Sequence, residues 1–323
     1  MPDSSMTGAL APVAEQVRRD LARTIVGQRH ALDLMLVAVL CNGHALIEGV
    51  PGLGKTLAVR TLARILRLRF QRVQCTPDLM PADIIGANVY NLSTSAFTLH
   101  HGPIFADILV VDEINRMPPR TQAALLEAME ERQVTIDGVS HPLSGQFAVF
   151  ATQNPVEFEG TYPLPEAELD RFLLKIRLDY PDAAAQEEEA ILLRHHTGFD
   201  PRQVDALDVE ALDAGQLAAA RRQVSAVTVE PALLAYVAAI ARRTREWPSV
   251  SLGISPRGSV HLLHVAKALA ALSGRDYLVL DDVKRAAPAV FRHRLILEAA
   301  AELDAVTPDQ VVADVLAAVD VPK

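Results

Sequence analysis

A chain of 323 residues is long for one ordinary core and suits two bodies, and with half its residues apolar and only 5% aromatic it is aliphatic and globular rather than disordered or collagenous. Its 31 basic and 40 acidic residues leave a formal charge of −9, which argues against a broad positive footprint for nucleic acid or anionic lipid. Cys41 and Cys75 lack metal-ligand spacing, so neither a zinc site nor a disulfide framework is expected, and a reducing, cytoplasmic setting fits.

No basic segment precedes an apolar core in residues 1–12, and the apolar run 34–41 is too short to span a bilayer, so neither a leader nor a membrane span is expected. Helical spacing runs over residues 14–24 and, after the turn at Gly27, over 30–41. Residues 45–48 form a short apolar run that enters a glycine-rich loop, and helical spacing resumes over 56–68. Further strands are predicted at 70–74, 108–111, 148–151 and 173–178. Short apolar strands separated by helices specify an α/β fold, a doubly wound parallel sheet with helices on both faces.

Two stretches break this alternation. Residues 84–98 hold Gly86, Asn91 and a Ser-Thr-Ser cluster among alternating residues, which predicts a hairpin inserted before the third core strand. In residues 133–143 an Asp137-Gly138 pair stands between Ile136 and Val139, a strong local signal for a second hairpin. After Tyr180-Pro181 the strand signals vanish, which divides the chain into an α/β domain over 1–181 and a helical domain over 182–323. Helix starts stand at Ser255-Pro256 and at Thr307-Pro308-Asp309-Gln310, the latter with a capping-box glutamine.

Gly49-Val50-Pro51-Gly52-Leu53-Gly54-Lys55-Thr56 matches the phosphate-loop pattern G-x-x-x-x-G-K-[ST] in full, and it lies between a strand and a helix as that chemistry requires. Glycines let backbone N–H groups and the helix N-terminus surround a polyphosphate. Lys55 supplies charge toward the β- and γ-phosphates, and Thr56 offers a hydroxyl to Mg²⁺. The apolar strand 108–111 ends in Asp112-Glu113, adjacent carboxylates that point different ways. Asp112 is the candidate for holding Mg²⁺ through its waters, and Glu113 for general base or positioner of the attacking water. The cofactors implied are ATP and Mg²⁺.

With these motifs in place the chain resembles an AAA+ ATPase, and specifically the MoxR family. The resemblance is carried by Ile25-Val26-Gly27-Gln28, by Val111-Asp112-Glu113-Ile114-Asn115-Arg116, by Leu125-Leu126-Glu127-Ala128-Met129-Glu130-Glu131, by Thr152-Gln153-Asn154-Pro155, by the run from Leu164 to Phe172, and by Ile254-Ser255-Pro256-Arg257. It implies a P-loop AAA+ sheet domain with a C-terminal all-helical lid. It also implies that Val26, Gly27 and Gln28 approach the adenine and that Leu57 joins the phosphate loop in holding the nucleotide. Asn154 would be the sensor that orients the lytic water, Arg257 a second sensor reaching from the lid to the γ-phosphate, and Arg171 the finger that completes a neighbouring subunit's site. Arg116 and Arg132 are rivals for that last role. As partners it implies further copies of the chain in a hexameric ring, a von Willebrand factor A-domain protein and a protein client, with the two hairpins as candidate client contacts.

Alternatives remain at this level. A nucleic-acid motor or loader would need basic hairpins, and residues 84–99 and 134–143 contain no Lys or Arg. A magnesium-chelatase ATPase subunit would share the architecture, and a non-catalytic nucleotide-gated scaffold would not need Lys55, Asp112, Glu113 and Asn154 intact. Arg292-His293-Arg294 is read either as a contact to a neighbouring molecule or as a solvated helical face. His100-His101 has no further ligand at suitable spacing and is read as loop before Gly102-Pro103.

Overall fold

Successive residues of a strand face opposite sides of its sheet, so a strand apolar at every position has to be covered on both. The computed structural model describes residues 10–93, 95–155, 160–206, 209, 212 and 214–321; residues 1–9, within the stretch 1–12 for which no leader is expected, and Thr94 of the Ser-Thr-Ser cluster lie outside them. Helices α1 (Leu10–Leu21) and α2 (Arg29–Leu40) precede β1 (Ala45–Glu48), and the phosphate loop joins β1 to α3 (Lys55–Ile65). Next come β2 (Phe70–Gln74), α4 (Pro81–Ile85), the hairpin β3 (Gly86–Asn91) and β4 (Ala96–His101), and β5 (Ile108–Asp112). They are followed by α5 (Pro119–Glu131), the hairpin β6 (Gln133–Ile136) and β7 (Val139–Pro142), β8 (Ala148–Gln153), α6 (Glu166–Leu169) and β9 (Leu174–Arg177). The remainder is α7 (Glu187–His196), α8 (Ala214–Ala226), α9 (Pro231–Arg245), β10 (Val250–Leu252), α10 (Pro256–Leu272), α11 (Leu280–Phe291), β11 (Ile296–Leu297), α12 (Ala299–Leu303) and α13 (Pro308–Ala318).

All five expected core strands form, and they pair in parallel in the order β2-β5-β8-β1-β9. Because β8 and β5 lie beside β1 on one side, the loops that leave these three strands emerge together at the carboxyl edge, where ligands bind in open α/β sheets. Ala45, Ile47, Val110 and Phe150 pack on one face, in a cluster that continues through α1, α2 and α3 into Val265, Leu269, Val290 and Val312 of the C-terminal helices. Leu46, Leu109, Val111 and Val149 pack on the other, against Leu125, Leu126 and Met129 of α5. Two apolar bodies are therefore present, but the sheet separates them; at Pro181 the secondary structure changes while the packing continues.

Both predicted hairpins form. Asp137 and Gly138 turn β6 into β7 with φ of 49° and 81°, both left-handed, as a two-residue hairpin turn requires. The two hairpins touch each other, with Asn88 Nδ2 donating to Asp137 Oδ2 over 2.8 Å. Two expectations are corrected. His100 and His101 belong to β4 rather than to a loop, since its pairing with β3 runs on to Gly86↔His101 and the His101 ring rests on Phe105 at 4.1 Å. The region after Pro181 is not wholly helical, because β10 and β11 pair antiparallel with Val250 opposite Leu297. No helix among the described residues is long and apolar enough to cross a membrane.

His44, just before β1, ties α5 to the sheet. Its Nδ1 accepts from the Val149 N–H at 2.9 Å, so Nε2 carries the proton and donates to the Met129 carbonyl at 3.2 Å. Burial, reinforced by the Arg132 charge, lowers its pKa to about 3. His293 is likewise buried and shifted well below the ordinary histidine value. Unfolding lets each imidazole take up a proton that the fold refuses, so the stability they confer is complete above about pH 6.5 and falls as pH drops below it, by at most about 1.4 kcal/mol per pH unit for each group. Urea melts between pH 7.5 and 5.5 should show that decline, and an unfolding free energy that stays level below pH 6.5 would contradict it.

Candidate active site

The phosphate loop leaves β1 at Glu48 and begins α3 at Lys55. Its start is tied to the neighbouring strand by the Gly49 N–H, 3.4 Å from the Gln153 carbonyl. Gly52 and Gly54 hold φ of 88° and 77°, a left-handed backbone that any side chain would strain, and this curvature turns successive N–H groups inward. The Lys55 ammonium lies over the loop, donating to the carbonyls of Gly49 at 2.5 Å and Val50 at 3.3 Å.

Beside the loop stands Asp112, whose side chain is only 8% exposed. The Thr56 hydroxyl is 3.0 Å from both of its oxygens, the Thr152 hydroxyl donates to Oδ1 at 3.1 Å, and Arg72 Nε donates to Oδ2 at 2.6 Å. Thr152 is a joint between the two carboxylates, since the same hydroxyl accepts the Glu113 N–H at 2.9 Å. Glu113 adopts a left-handed backbone, φ 59° and ψ 52°, uncommon for a residue with a side chain and a recurrent feature of functional sites. That turn aims its carboxylate away from Asp112, toward Gln74 Nε2 at 3.0 Å and Arg116 Nη1 at 3.1 Å.

The pairing of a threonine hydroxyl with a buried carboxylate is the hard oxygen donor set that Mg²⁺ takes when phosphates and water complete its shell. Among the described residues no group of three or more His, Cys, Asp or Glu gathers elsewhere as a metal site. Asn154, 6% exposed, directly follows β8 between the phosphate loop and the Asp112-Glu113 turn.

A cavity of about 470 Å³ opens alongside the loop, lined by Gly52, Leu53, Gly54, Lys55, Thr56 and Leu57. The rest of its wall includes Ile25, Val26 and Gln28, together with Ile191, Arg194 and His195 of α7 and Phe199 beyond it. Gln28 is fixed by Nε2 donating to the Asp179 carbonyl at 2.6 Å. Gly27 stands behind the wall, where a β-carbon would come within 2.1 Å of the Glu187 carboxylate, so glycine here lets α7 seat against the loop before α2. Gly49, Val50 and Pro51 form the turn leading in. Sequence reasoning missed Arg72, Thr152 and the whole α7 contribution; the first could have been found from the Arg72-Val73-Gln74 alternation, had β2 been placed beside β5.

The arginines lie elsewhere. Arg171 Nε and Arg257 Nη2 meet the two oxygens of one carboxylate, Glu130 on α5, at 3.1 and 2.9 Å, and neither lines the cavity. Arg257, expected to reach the γ-phosphate from the lid, is thus held at the start of α10 by an ion pair with α5. Arg116 holds Glu113, and Arg132 is turned inward onto the carbonyls of Asn42 and Phe147. Arg292-His293-Arg294 is neither a partner contact nor a solvated face. Arg292 pairs with Asp309 at 3.0 Å, His293 bonds the Phe172 carbonyl at 3.0 Å, and Arg294, its side chain 2% exposed, pairs with Asp170 at 2.6 Å. Burial lowers the Arg294 pKa to about 10 despite the Asp170 charge.

Residues 44–174 match the family described as the ATPase family associated with various cellular activities (AAA), and residues 242–315 match the AAA lid domain. The chain is 42% identical to the uncharacterized protein YeaC of Bacillus subtilis over 97% of its own length and 96% of that protein's. It is 41% identical to the chaperone MoxR1 of Mycobacterium tuberculosis over its full length and 86% of that protein's. A solved structure from Cytophaga hutchinsonii, described as that of a candidate ATPase, superposes with a TM-score of 0.88 at 37% identity, covering 97% of this chain and 96% of that one.

The Thr152 joint is open to test. Thr152→Val keeps the shape of the side chain but leaves the buried Glu113 N–H without its acceptor and Asp112 without one donor, which should cost about 1–3 kcal/mol in urea melts. An unchanged unfolding free energy would show that the joint carries no weight.

Proposed function

The chain belongs to the MoxR family of AAA+ ATPases, and from that premise we propose that it hydrolyses ATP, with Mg²⁺, to drive the remodelling or maturation of protein clients. The observation that carries this reading is the contact of Thr56 with Asp112 at 3.0 Å, which joins the phosphate loop to the acidic strand end in one donor set. Lys55 and the loop N–H groups bind the β- and γ-phosphates, and Thr56 and Asp112 hold the metal. Bound there, Mg²⁺ supplies charge that the developing phosphate oxygens need. Glu113 takes the proton of the attacking water or positions it, while Asn154 orients that water from the end of β8.

The proposed working form is a homo-oligomeric, hexameric ring. Arg171 and Arg257 stand side by side on Glu130, away from their own cavity, which supports presenting both to the γ-phosphate held by a second copy. The client is proposed to be protein, engaged at the two hairpins, with a von Willebrand factor A-domain protein as the partner. Supporting a protein client, the hairpins expose Tyr90, Leu92, Phe97 and Val139 and carry no Lys or Arg with which to follow a phosphate backbone.

Glu113→Gln should still bind ATP but release phosphate about 10²–10⁴-fold more slowly, since the amide keeps the shape and loses the basicity; near-normal turnover would remove Glu113 from the chemistry. Arg171→Ala should bind ATP nearly normally and hydrolyse it poorly. Mixing Arg171→Ala with Lys55→Ala chains should restore part of the activity, increasingly with protein concentration, because mixed assemblies rebuild interfaces that pair an intact phosphate loop with an intact Arg171. Complete failure of rescue with subunit exchange confirmed would overturn the trans arrangement.

A further inference from the structure

The cavity holds one group that phosphate binding does not use. α7 places Ile191, Arg194 and His195 on a single face, at the spacing of neighbours on one side of a helix. Arg194 spans from this face to the end of α1, where Nη2 donates to the Ala22 carbonyl at 2.7 Å. That bond fixes the plane of the guanidinium. Its other terminal nitrogen, Nη1, is buried and has no hydrogen-bond partner among the described residues. A buried, charged N–H without an acceptor is a costly arrangement that a protein rarely keeps unless something else supplies the acceptor.

The surroundings say what that acceptor is. Ile25, Val26, Leu53 and Ile191 give the wall apolar faces, and the His195 ring meets Phe199 edge to face at 5.7 Å and 73°. Such a slot suits a flat heteroaromatic ring, with a few placed polar groups setting its orientation. The phosphates have their own cation, Lys55, and their own N–H groups on the loop. An arginine that is anchored to α1, outside the loop, and keeps the N–H groups of Nη1 without an acceptor is suited to a ring nitrogen, which accepts.

We propose that Arg194 is a base-recognising residue of the nucleotide site, with Nη1 donating to a ring nitrogen of the purine. This rests on the reading of the cavity as the nucleotide site. It goes beyond the phosphate loop and the Val26-Gly27-Gln28 segment by assigning base recognition to the first helix after Pro181. Binding of the base would then also join α7 to α1 through the Ala22 bond, so that nucleotide occupancy stiffens the contact between the N-terminal helix and the C-terminal helices.

The test is a calorimetric titration of wild-type and Arg194→Met chains with Mg²⁺ and ADP, 1-deaza-ADP, 3-deaza-ADP, 7-deaza-ADP or 2′-deoxy-ADP. Arg194→Met should weaken ADP binding about 10-fold or more, the range for a hydrogen bond to a charged group. One deaza analogue should show a similar loss on the wild-type chain and no additional loss on Arg194→Met. The analogue arm alters no protein contact, so it stands even if the substitution loosens α7. Equal ADP affinity in the two chains overturns the assignment, as does an equal loss across ADP and every analogue, or coupling to the 2′-hydroxyl alone. A wild-type chain that takes up no ADP would instead overturn the nucleotide reading of the cavity, and this inference with it.

Discussion

A carboxylate only 8% exposed at the end of an apolar strand has to be given donors, and Asp112 draws them from three different elements. Thr56 comes from the first turn of α3, Thr152 from β8 and Arg72 from the edge strand β2. The strand register makes this convergence possible, since Gln74 stands opposite Asp112 on one side of β5 and Ala151 opposite Val111 on the other. Satisfying one buried charge thus fixes the phosphate loop, two neighbouring strands and the acidic turn relative to one another. A carboxylate held this way would need little reorganisation to take the proposed cation with its phosphates.

Glu113 differs from its neighbour in the way its proposed role demands. Its left-handed backbone removes it from the line of the strand, and its side chain remains 28% exposed, held by Gln74 and Arg116 rather than by the strand end. The group proposed to reach a water is thus kept at the edge of the solvent, while the group proposed to hold a metal is enclosed. Thr152 fixes the angle between them from the neighbouring strand, donating to one and accepting from the backbone of the other.

What the sequence revealed was local. The phosphate loop, the five core strands and the Asp137-Gly138 hairpin are each written in a few consecutive residues, whose φ requirements and apolar runs are visible without knowing what lies opposite. Arg72 and Thr152 act across the sheet, and only strand order brings residues so far apart in the chain within 3.1 Å of one carboxylate. Arg257 and Arg171 were recognised as functional candidates, yet nothing local indicates that Glu130 holds both. The basic triplet 292–294 looked like surface because three polar residues in a row ordinarily are; its burial follows from what the chain before β9 needs. The Phe172 and Leu173 carbonyls lie just ahead of that strand, and His293 and Arg294 supply their donors.

That last contact gives the C-terminal helices a mechanical meaning. Arg294 joins the end of α11 to Asp170, the residue before Arg171, while Ser255, at the start of the helix that carries Arg257, donates to the same carboxylate at 3.2 Å. The turn bearing one arginine and the helix bearing the other are thereby fastened to one acidic residue, and both side chains then meet at Glu130. Buried charge pairs of this kind tolerate little sliding, because separating them would strand an ion away from water. Movement of α10 and α11 relative to the sheet would therefore carry Arg171 and Arg257 as a unit. Leu53 and Leu57 of the cavity wall pack against the same apolar cluster as Leu173 and Ile254, which stand near Arg171 and Arg257 in the chain, so in the proposed ring the nucleotide site and the arginine pair offered to the next copy rest on one packed body.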